Sequence, residues 1–461
     1  MKNPTRRETL LTGLFGSAGA LGLRALATGL PAWFLANPRK ASAQDMTCAI
    51  SNMGKAQFLI VAASSAGDAH SCNCPGTYTN AAIIHPAQTE MASTDFMLGT
   101  AKVTAAKPWS ALTAPVLART NFFHHLTGGT VHGDHPKVMK LLGRTAGGEM
   151  WPSIYAKHLF KCLGTVQPEP VSVGTGGNAL EAISFQGRTL PNVTPLQLKQ
   201  LLTGSKTDPV VMLRTMRDTT LDQLNALFKA DGTPEQGKFL DAMAASQSQV
   251  RELATSLATT LNSITVNSVA GQALAAAALI AAKVTPVVTL HIPFGADNHT
   301  DADLYDEWFD HTDHDSSKRG VPGIQAVMDA VASLNLTDQV TFATMNVFGR
   351  DLSGTSKVTS RGGRDHFGNH SVMVMIGKNV NPGVTGGAVL LSGSVYGAGG
   401  IDSATGNAVA GGGDIAVADT HVSAAKTLGV ALGIDSSLLK ADFTDNGAVK
   451  VANTALSGVT G

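Results

Sequence analysis

The sequence predicts an α/β fold in which helices flank a mainly parallel β-sheet. Residues 286–292 (PVVTLHI) form an apolar, β-branched run without polar alternation, which is typical of a strand buried on both faces. Apolar residues then recur at helical spacing over 322–335, before a second apolar run at 340–345. A helix between two such strands is the crossover that joins parallel neighbours, so these three segments predict the sheet type.

The other elements follow from the same periodicities. Further segments are predicted at 57–63 (QFLIVAA, a buried first strand), 195–285 (a mostly helical insertion), 371–376 (SVMVMI, a strand) and 420–432 (a helix before Gly433). The glycine-rich segment 383–413 is expected to form a surface loop or a hairpin. We therefore expect one domain over residues 44–461, with its sheet assembled from both ends of the chain.

Residues 1–43 have the layout of an export signal. Arg6 and Arg7 precede a stretch rich in Gly, Ala and Leu, and small residues follow up to Ala43, after which we expect cleavage. The arginine pair followed by leucines resembles a twin-arginine signal. We therefore expect the twin-arginine export machinery as a partner and a periplasmic or extracellular location. An N-terminal membrane anchor is the alternative, although Arg24 and recurring glycines interrupt the apolar run.

Composition and charge exclude several classes of protein. The 461 residues are 43% hydrophobic and 15% charged, which is enough apolar material for a sizeable core and unlike the composition of disordered chains. Lys plus Arg and Asp plus Glu each number 34. Without residues 1–43 the balance is 28 bases against 33 acids, a formal charge of −5. A mildly acidic mature chain argues against a nucleic-acid partner, because phosphate binding needs a basic face.

The four cysteines suit an exported chain. They are Cys48, Cys72, Cys74 and Cys162, an even set that allows one or two disulfides. Cys72 and Cys74 are one residue too close for a CxxC redox or zinc motif, so a metal role for these thiols is disfavoured. The sequence leaves the pairing open.

Polar residues stand at the ends of the predicted strands, where open α/β sheets bind ligands. Asp297 and His299 follow one predicted strand. Asp365 and His366 lead directly into another. A carboxylate and imidazoles held together are the ligand set of a zinc- or manganese-type ion. Asp and Asn are also turn formers, so a purely structural role at the strand ends is the alternative.

Two arginines near these positions have two possible roles. Arg350 and Arg364 could grip an anionic oxygen bidentately. Equally, they could be buried salt-bridge partners of Asp351 and Asp365. The acidic stretch beyond His299, as far as residue 315, lacks the glycine and terminal Glu of an EF-hand loop and predicts a solvated helix face.

Three motifs resemble those of an exported bacterial family called "domain of unknown function 1501". That family has roughly G-W-D-x-H, S-E-F-G-R and G-R-D-H-W, where this chain has GADNH (295–299), NVFGR (346–350) and GRDHF (363–367). The resemblance covers residues 55–435. The family is grouped with the alkaline phosphatase and sulfatase superfamily. The resemblance therefore implies an alkaline-phosphatase-like sandwich and a divalent metal, which would be zinc, manganese or calcium.

The same resemblance implies roles for individual residues. The implied metal ligands are Asp297, His299, His366, Asp365 and Asp68. Thr120 is the nearest match to the superfamily's nucleophile, and His132 and His135 are further candidates near a position where the family tends to carry a histidine. Val347 stands where the family has a glutamate, and valine has no donor atom. A full two-metal site is therefore not expected.

Two functions of different class are consistent with these residues. One is an exported one-metal hydrolase acting on an anionic small molecule, a phosphate or sulfate ester. The other is a non-catalytic exported protein that retains the fold and binds a cell-envelope partner through the strand-end crevice or the glycine-rich loops. The D-x-H and G-R-D-H motifs favour the first function, and Val347 favours the second.

Overall fold

The computed structural model describes residues 48–175, 182–203, 257–295, 297–352, 363–410 and 412–443, with single residues and runs of two or three residues between 220 and 241. The strands are β1 (Phe58–Ser64), β2 (Ser93–Leu98), β3 (Ala101–Ala106), β4 (Thr120–His125), β5 (Val171–Val173), β6 (Ser184–Phe185), β7 (Arg188–Thr189), β8 (Asn192–Val193), β9 (Val287–Leu290), β10 (Val340–Asn346), β11 (Gly349–Arg350), β12 (His366–Phe367), β13 (Ser371–Ile376), β14 (Gly383–Thr385), β15 (Ala388–Ser392), β16 (Val395–Ala398), β17 (Gly400–Ile401) and β18 (Ala408–Val409). The helices are α1 (Lys107–Ser110), α2 (Ala114–Leu117), α3 (His135–Met139), α4 (Trp151–Leu163), α5 (Pro195–Thr203), α6 (Ala258–Asn262), α7 (Val269–Ala281), α8 (Tyr305–His311), α9 (Gly320–Ser333), α10 (Thr420–Ala431) and α11 (Ser436–Asp442).

A large, mostly parallel sheet lies at the centre of the fold. Within the described residues it has eight strands in the order β14, β4, β13, β10, β1, β9, β5, β8. β1 lies parallel to β10 and to β9, with Phe58 opposite Val340 and Leu59 opposite Val287. Only β13 runs antiparallel to its described neighbours, β10 and β4. This arrangement confirms the predicted α/β class.

Burial explains why the central strands have continuous apolar runs. Every residue of β1 and β10 is buried, so no polar alternation is needed. Leu59 and Val61 of β1 belong to one core cluster with Tyr155 of α4 and Leu428 of α10. α9 connects β9 to β10, as the spacing predicted, and packs against α7. Helices therefore flank the sheet and bury its strands.

The described residues divide into two units. One lies within residues 196–265, and the other comprises residues 48–195 and 266–443. In the first unit, the Lys199 ammonium donates to the carbonyl oxygens of Asn262 (3.0 Å) and Ile264 (2.7 Å). The predicted insertion extended to residue 285, but α7 belongs to the unit that contains the sheet.

The cysteines are divided between a disulfide and two thiols. Cys48 and Cys162 form a disulfide between the segment before β1 and the end of α4, across 114 positions of sequence. Cys72 and Cys74 are free thiols and are buried. Burial raises the pKa of each thiol to about 12, so both are protonated at neutral pH and are poor metal ligands.

The glycine-rich segment 383–413, predicted as a surface loop or a hairpin, contains a hairpin and further short strands. It supplies β14 to the central sheet and folds the rest into an antiparallel hairpin, β15 with β16, and a short ladder, β17 with β18. The predicted export signal at 1–43 lies outside the described residues. Among those residues, no helix has both the length and the apolar character needed to cross a bilayer.

Candidate metal centre

Residues from distant segments meet at one edge of the central sheet. Asp297 and His299 follow β9, and His132 follows β4. His366 lies before β13. Because β13 runs antiparallel to its neighbours, its start lies at the same edge as the ends of β4, β9 and β10. Strand direction therefore places the four side chains together.

The ligand atoms of these residues converge on a small volume around Asp297. Its Oδ2 lies 3.2 Å from His132 Nε2. Its Oδ1 lies 3.4 Å from His299 Nε2 and 3.5 Å from His366 Nε2. The ligand atoms of His132, Asp297 and His366 all lie within 4.8 Å of one another, and these three side chains form the one such group found in the described part of the chain. His299 lies beside this group, in contact with His366.

Hydrogen bonds fix which nitrogen of His132 and His366 carries the proton. Nδ1 of His132 lies 2.7 Å from the carbonyl oxygen of Ser65, and Nδ1 of His366 lies 2.8 Å from that of Thr130. A carbonyl oxygen can only accept, so Nδ1 is the donor in both rings. In the neutral rings, Nε2 therefore presents a lone pair to the cluster.

In His299, too, Nδ1 carries the proton, but its acceptor is a carboxylate instead of a backbone carbonyl. Its Nδ1 donates to Asp365 Oδ1 at 2.9 Å, which leaves the Nε2 lone pair 2.8 Å from His366 Nε2. Asp365 was predicted as a metal ligand, but this contact places it behind His299, where it orients the ring. Three imidazole lone pairs and the charged oxygens of Asp297 thus face one another, and their mutual repulsion is relieved by a proton on one ring nitrogen or by a metal ion among them.

The electrostatics keep the carboxylate ionised. Partial burial of Asp297 favours the neutral acid, but the charge of Arg350, the charges of His132 and His299 in their protonated forms, and the hydrogen bond from Arg350 lower the pKa of Asp297 below 3.8. Burial lowers the pKa of His366 below 6.5. Both shifts favour the protonation states that bind metal, an anionic carboxylate and a neutral imidazole. The Asp297 side chain is 49% exposed, so the cluster is open to solvent.

Packing and a local turn hold the rings of His132 and His366. The ring of Phe348 stacks on His366 at a centroid distance of 4.0 Å and meets His132 edge-on at 5.2 Å. Asp134 accepts the backbone N–H of Thr130 at 2.9 Å, which folds the loop that presents His132. Each ring is therefore fixed by an aromatic contact as well as by a hydrogen bond.

Asp68 lies in a separate buried network. Its Oδ1 accepts the N–H of Phe294 at 2.8 Å, and its Oδ2 contacts Ser64 Oγ (2.5 Å) and His291 Nε2 (3.3 Å). Burial opposes the charged form of Asp68, but the hydrogen bond and charge of His291 help lower its pKa below 3.8. The structure thus gives the end of β1 an ionised aspartate that is already engaged by protein donors.

Thr120 is not positioned as a nucleophile. It begins β4 instead of a helix and is fully buried, and its hydroxyl donates to the carbonyl oxygen of Val116 at 2.7 Å. The cluster lies at the opposite end of the strands, so Thr120 cannot attack a molecule held there. Val347 is fully buried in the core cluster, consistent with its lack of a donor atom.

Both arginines form ion pairs, with partners different from the neighbouring aspartates; the pair of Arg364 is buried, and that of Arg350 joins it to the half-exposed Asp297. Arg350 donates to Asp297 Oδ1 at 3.2 Å and to the carbonyl oxygen of Ala66 at 2.9 Å. Arg364 Nε donates to Glu307 Oε1 at 2.6 Å. The side chains of both arginines are buried, so neither is free to grip a substrate anion.

The solvated helix face predicted beyond His299 is confirmed only in part, because Tyr305 and Asp306 of α8 are exposed but other residues of the helix are not. Glu307, Asp310 and His311 of α8 are buried. Glu307 is the residue that the sequence reasoning missed, because an acidic run is usually solvated. The buried Arg364, from the G-R-D-H motif, is its counter-ion. His132 stood outside the predicted ligand set and was only a further candidate, because the resembling family tends to carry a histidine near the VHGDH segment that follows β4.

No protein-family model, curated protein or solved structure matches the chain. The assignment of this site therefore depends on its own geometry and donor chemistry.

Proposed function

We propose that this protein is an exported metal-dependent hydrolase of phosphate or sulfate esters that uses a single transition-metal ion. The observation that carries the proposal is the convergence of three imidazole lone pairs on an ionised carboxylate, with every Nδ1 proton committed to an outward acceptor. Metal-bound histidines characteristically donate their other ring N–H to a carboxylate or carbonyl, which sets the tautomer and the ring direction.

The spacing of the donors suits a tetrahedral ion held by His132, Asp297 and His366, with His299 beside them and the fourth position left for water. Ligands about 2.0–2.1 Å from a tetrahedral zinc lie roughly 3.3 Å apart. Asp297 Oδ2 lies 3.2 Å from His132 Nε2, and Asp297 Oδ1 lies 3.4 and 3.5 Å from Nε2 of His299 and His366. The 2.8 Å between His299 and His366 is shorter, and a modest rotation of one ring would open it. Calcium, which takes six to eight oxygen ligands, does not suit a set of three nitrogens and one carboxylate, so zinc is the better assignment.

The reaction class follows from the donor set and from the resemblance of the three strand-end motifs. An ion of this kind acts as a Lewis acid and activates water near neutral pH. Arg350 keeps Asp297 charged, and Phe348 with the backbone carbonyls fixes the rings. Because both arginines are engaged within the protein, the bound ion is the positive charge available to an anionic ester. The half-exposed Asp297 leaves one side of the cluster open to such a substrate.

Metal analysis tests the centre directly. Protein purified without added metal, and then supplied with Zn²⁺ or Mn²⁺, should retain about one equivalent of transition metal. His132→Ala and His366→Ala should each weaken retention by about a hundredfold or more, and His299→Ala by about tenfold to a hundredfold. His314→Ala, an exposed histidine outside the cluster, is the matched control. Less than about a tenth of an equivalent, unchanged by supplementation, would refute the metal centre.

Turnover separates catalysis from binding. The metal-loaded protein should hydrolyse a nitrophenyl phosphate or a nitrophenyl sulfate, and the activity should disappear with a chelator and return with the metal. The buried Thr120 and Val347 favour the second candidate function, a non-catalytic exported protein that holds the ion to bind a cell-envelope partner. Metal retention without turnover of either ester class would support this second function.

Export is tested independently of the site. Arg6→Lys combined with Arg7→Lys should retain the chain in the cytoplasm if the paired arginines form a twin-arginine signal. Fractionation of the producing cells, with the unchanged leader as control, measures this. Equal export of both forms would contradict the proposed route.

A further inference from the structure

One buried carboxylate links the two loops that carry the candidate ligands. Glu307 of α8 is fully buried. Its Oε1 accepts from Asn298 Nδ2 at 2.7 Å and from Arg364 Nε at 2.6 Å. Asn298 lies between Asp297 and His299, and Arg364 precedes Asp365 and His366. The carboxylate thus holds a residue embedded in each ligand-bearing loop.

Backbone contacts join the same two loops. The N–H of Gly363 donates to the carbonyl oxygen of His299 at 2.8 Å, and the N–H of Arg364 donates to that of Asn298 at 3.2 Å. A Cβ at Gly363 would lie 1.8 Å from the oxygen of Asn298, so only glycine permits this approach. Arg364 also donates to the carbonyl oxygens of Asp351 (3.0 Å) and Ile84.

We propose that the buried Glu307–Arg364 pair is the positioning device of the metal centre, setting the spacing between the Asp297–His299 loop and the Asp365–His366 loop. This inference rests on the proposed metal function. Neither Glu307 nor Arg364 supplies a ligand atom to the cluster. Their effect is transmitted through Asn298 and the backbone, and a displacement of about 1 Å in either loop would separate donors that must meet within one coordination sphere.

Two asparagines provide a matched pair of variants. Asn298 and Asn73 both donate to Glu307, at 2.7 and 3.0 Å. Asn73 follows the turn Ala69–Cys72, which carries none of the four converging residues. Asn298→Ala removes a tether inside a ligand-bearing loop, whereas Asn73→Ala removes a tether of similar length outside it. Arg364→Lys keeps the charge beside Glu307 but cannot reproduce the simultaneous guanidinium contacts to Glu307, Asp351 and Ile84.

Metal affinity and the visible spectrum of the cobalt(II)-loaded protein decide the question. Asn298→Ala and Arg364→Lys should weaken zinc binding by about tenfold to a hundredfold and alter the cobalt absorption bands, which report ligand number and geometry. Asn73→Ala should stay within about twofold of the unchanged protein. Far-UV circular dichroism confirms folding, and if Arg364→Lys does not fold, the contrast between the two asparagine variants decides.

The outcomes separate the two proposals. If the unchanged protein binds metal and the Asn298 and Arg364 variants retain its affinity and its cobalt spectrum, the positioning role is overturned while the metal centre stands. Equal losses in both asparagine variants would also overturn it, because the effect would then be a general loss of stability. A wild-type chain that binds no metal overturns the metal centre, and this inference with it.

Discussion

A buried histidine pair between α10 and β4 predicts how stability depends on pH. His421 Nε2 lies 3.0 Å from the carbonyl oxygen of Val138 and must donate to it. Its Nδ1 therefore accepts from His125 Nδ1, 3.1 Å away. A second proton on His421 would face the N–H of His125 in a site that excludes water. The folded protein thus holds His421 neutral.

The magnitude follows from the difference between the folded and unfolded states. Burial lowers the pKa of His421 from 6.5 to about 4, whereas in the unfolded chain the pKa returns to about 6.5. Between these values the unfolded chain binds one more proton, so the free energy of unfolding falls with falling pH by about 1.4 kcal/mol per pH unit. This contribution is present above pH 6.5, and about 2 kcal/mol of it is lost by pH 5.

Urea unfolding of the metal-free protein at several pH values between about 7.5 and 5 measures this slope. His421→Gln keeps a donor for Val138 but does not titrate. Between pH 6 and 5, the free energy of unfolding of this variant should therefore fall less steeply than that of the unchanged protein, by about 1.4 kcal/mol per pH unit. Ser423→Ala, a buried non-titrating position on the same helix, should run parallel to the unchanged protein. Equal slopes for His421→Gln and the unchanged protein would refute the reasoning, whatever the cost of the substitution at neutral pH.

Three further predictions test other parts of the fold. Cys162→Ser opens the disulfide with Cys48, which spans 114 positions, and should lower the free energy of unfolding by about 2–5 kcal/mol under oxidising conditions; denaturant curves that coincide without reductant would contradict this. Gly363→Ala places a Cβ against the oxygen of Asn298 and should weaken zinc binding at least about tenfold, measured by competition with a chromogenic chelator; unchanged affinity would show that the loops can separate without harm. Thr120→Val removes a buried hydrogen bond and should lower the free energy of unfolding by about 1 kcal/mol with ester turnover unchanged, whereas abolished turnover in a folded, metal-loaded variant would restore Thr120 as a catalytic residue.

Local pattern predicted the central elements closely, since each had a clear period and a clear end. The strand predicted at 371–376 is β13, residue for residue, and the strand predicted at 340–345 is β10 apart from one residue. Motifs at strand ends then led to Asp297, His299 and His366, which the structure brings together. These predictions succeeded because hydrophobic periodicity and strand-end chemistry are properties of short segments.

Other features depended on contacts that no short segment contains. Thr120 was matched to a nucleophile that begins a helix after a strand. In the structure it begins a strand instead, and the direction of that strand puts Thr120 at the end of the sheet opposite the cluster. Glu307 looked like part of a solvated acidic run until its counter-ion, Arg364, was brought to it from 57 positions away. A buried charge is stable only with a partner, and sequence alone does not reveal which distant charge will arrive.

The amino-acid sequence by itself determined the α/β class, the main strands of the sheet and the presence of polar, potentially metal-binding residues at the ends of those strands. Tertiary structure alone decided the strand order and the pairing of Cys48 with Cys162. It also decided that His132 lies beside Asp297 and that Asp365 contacts His299 Nδ1 instead of the cluster. The physical reason is one of range: apolar patterning acts within a few residues, whereas a converging set of lone pairs exists only after folding has brought together loops far apart along the chain.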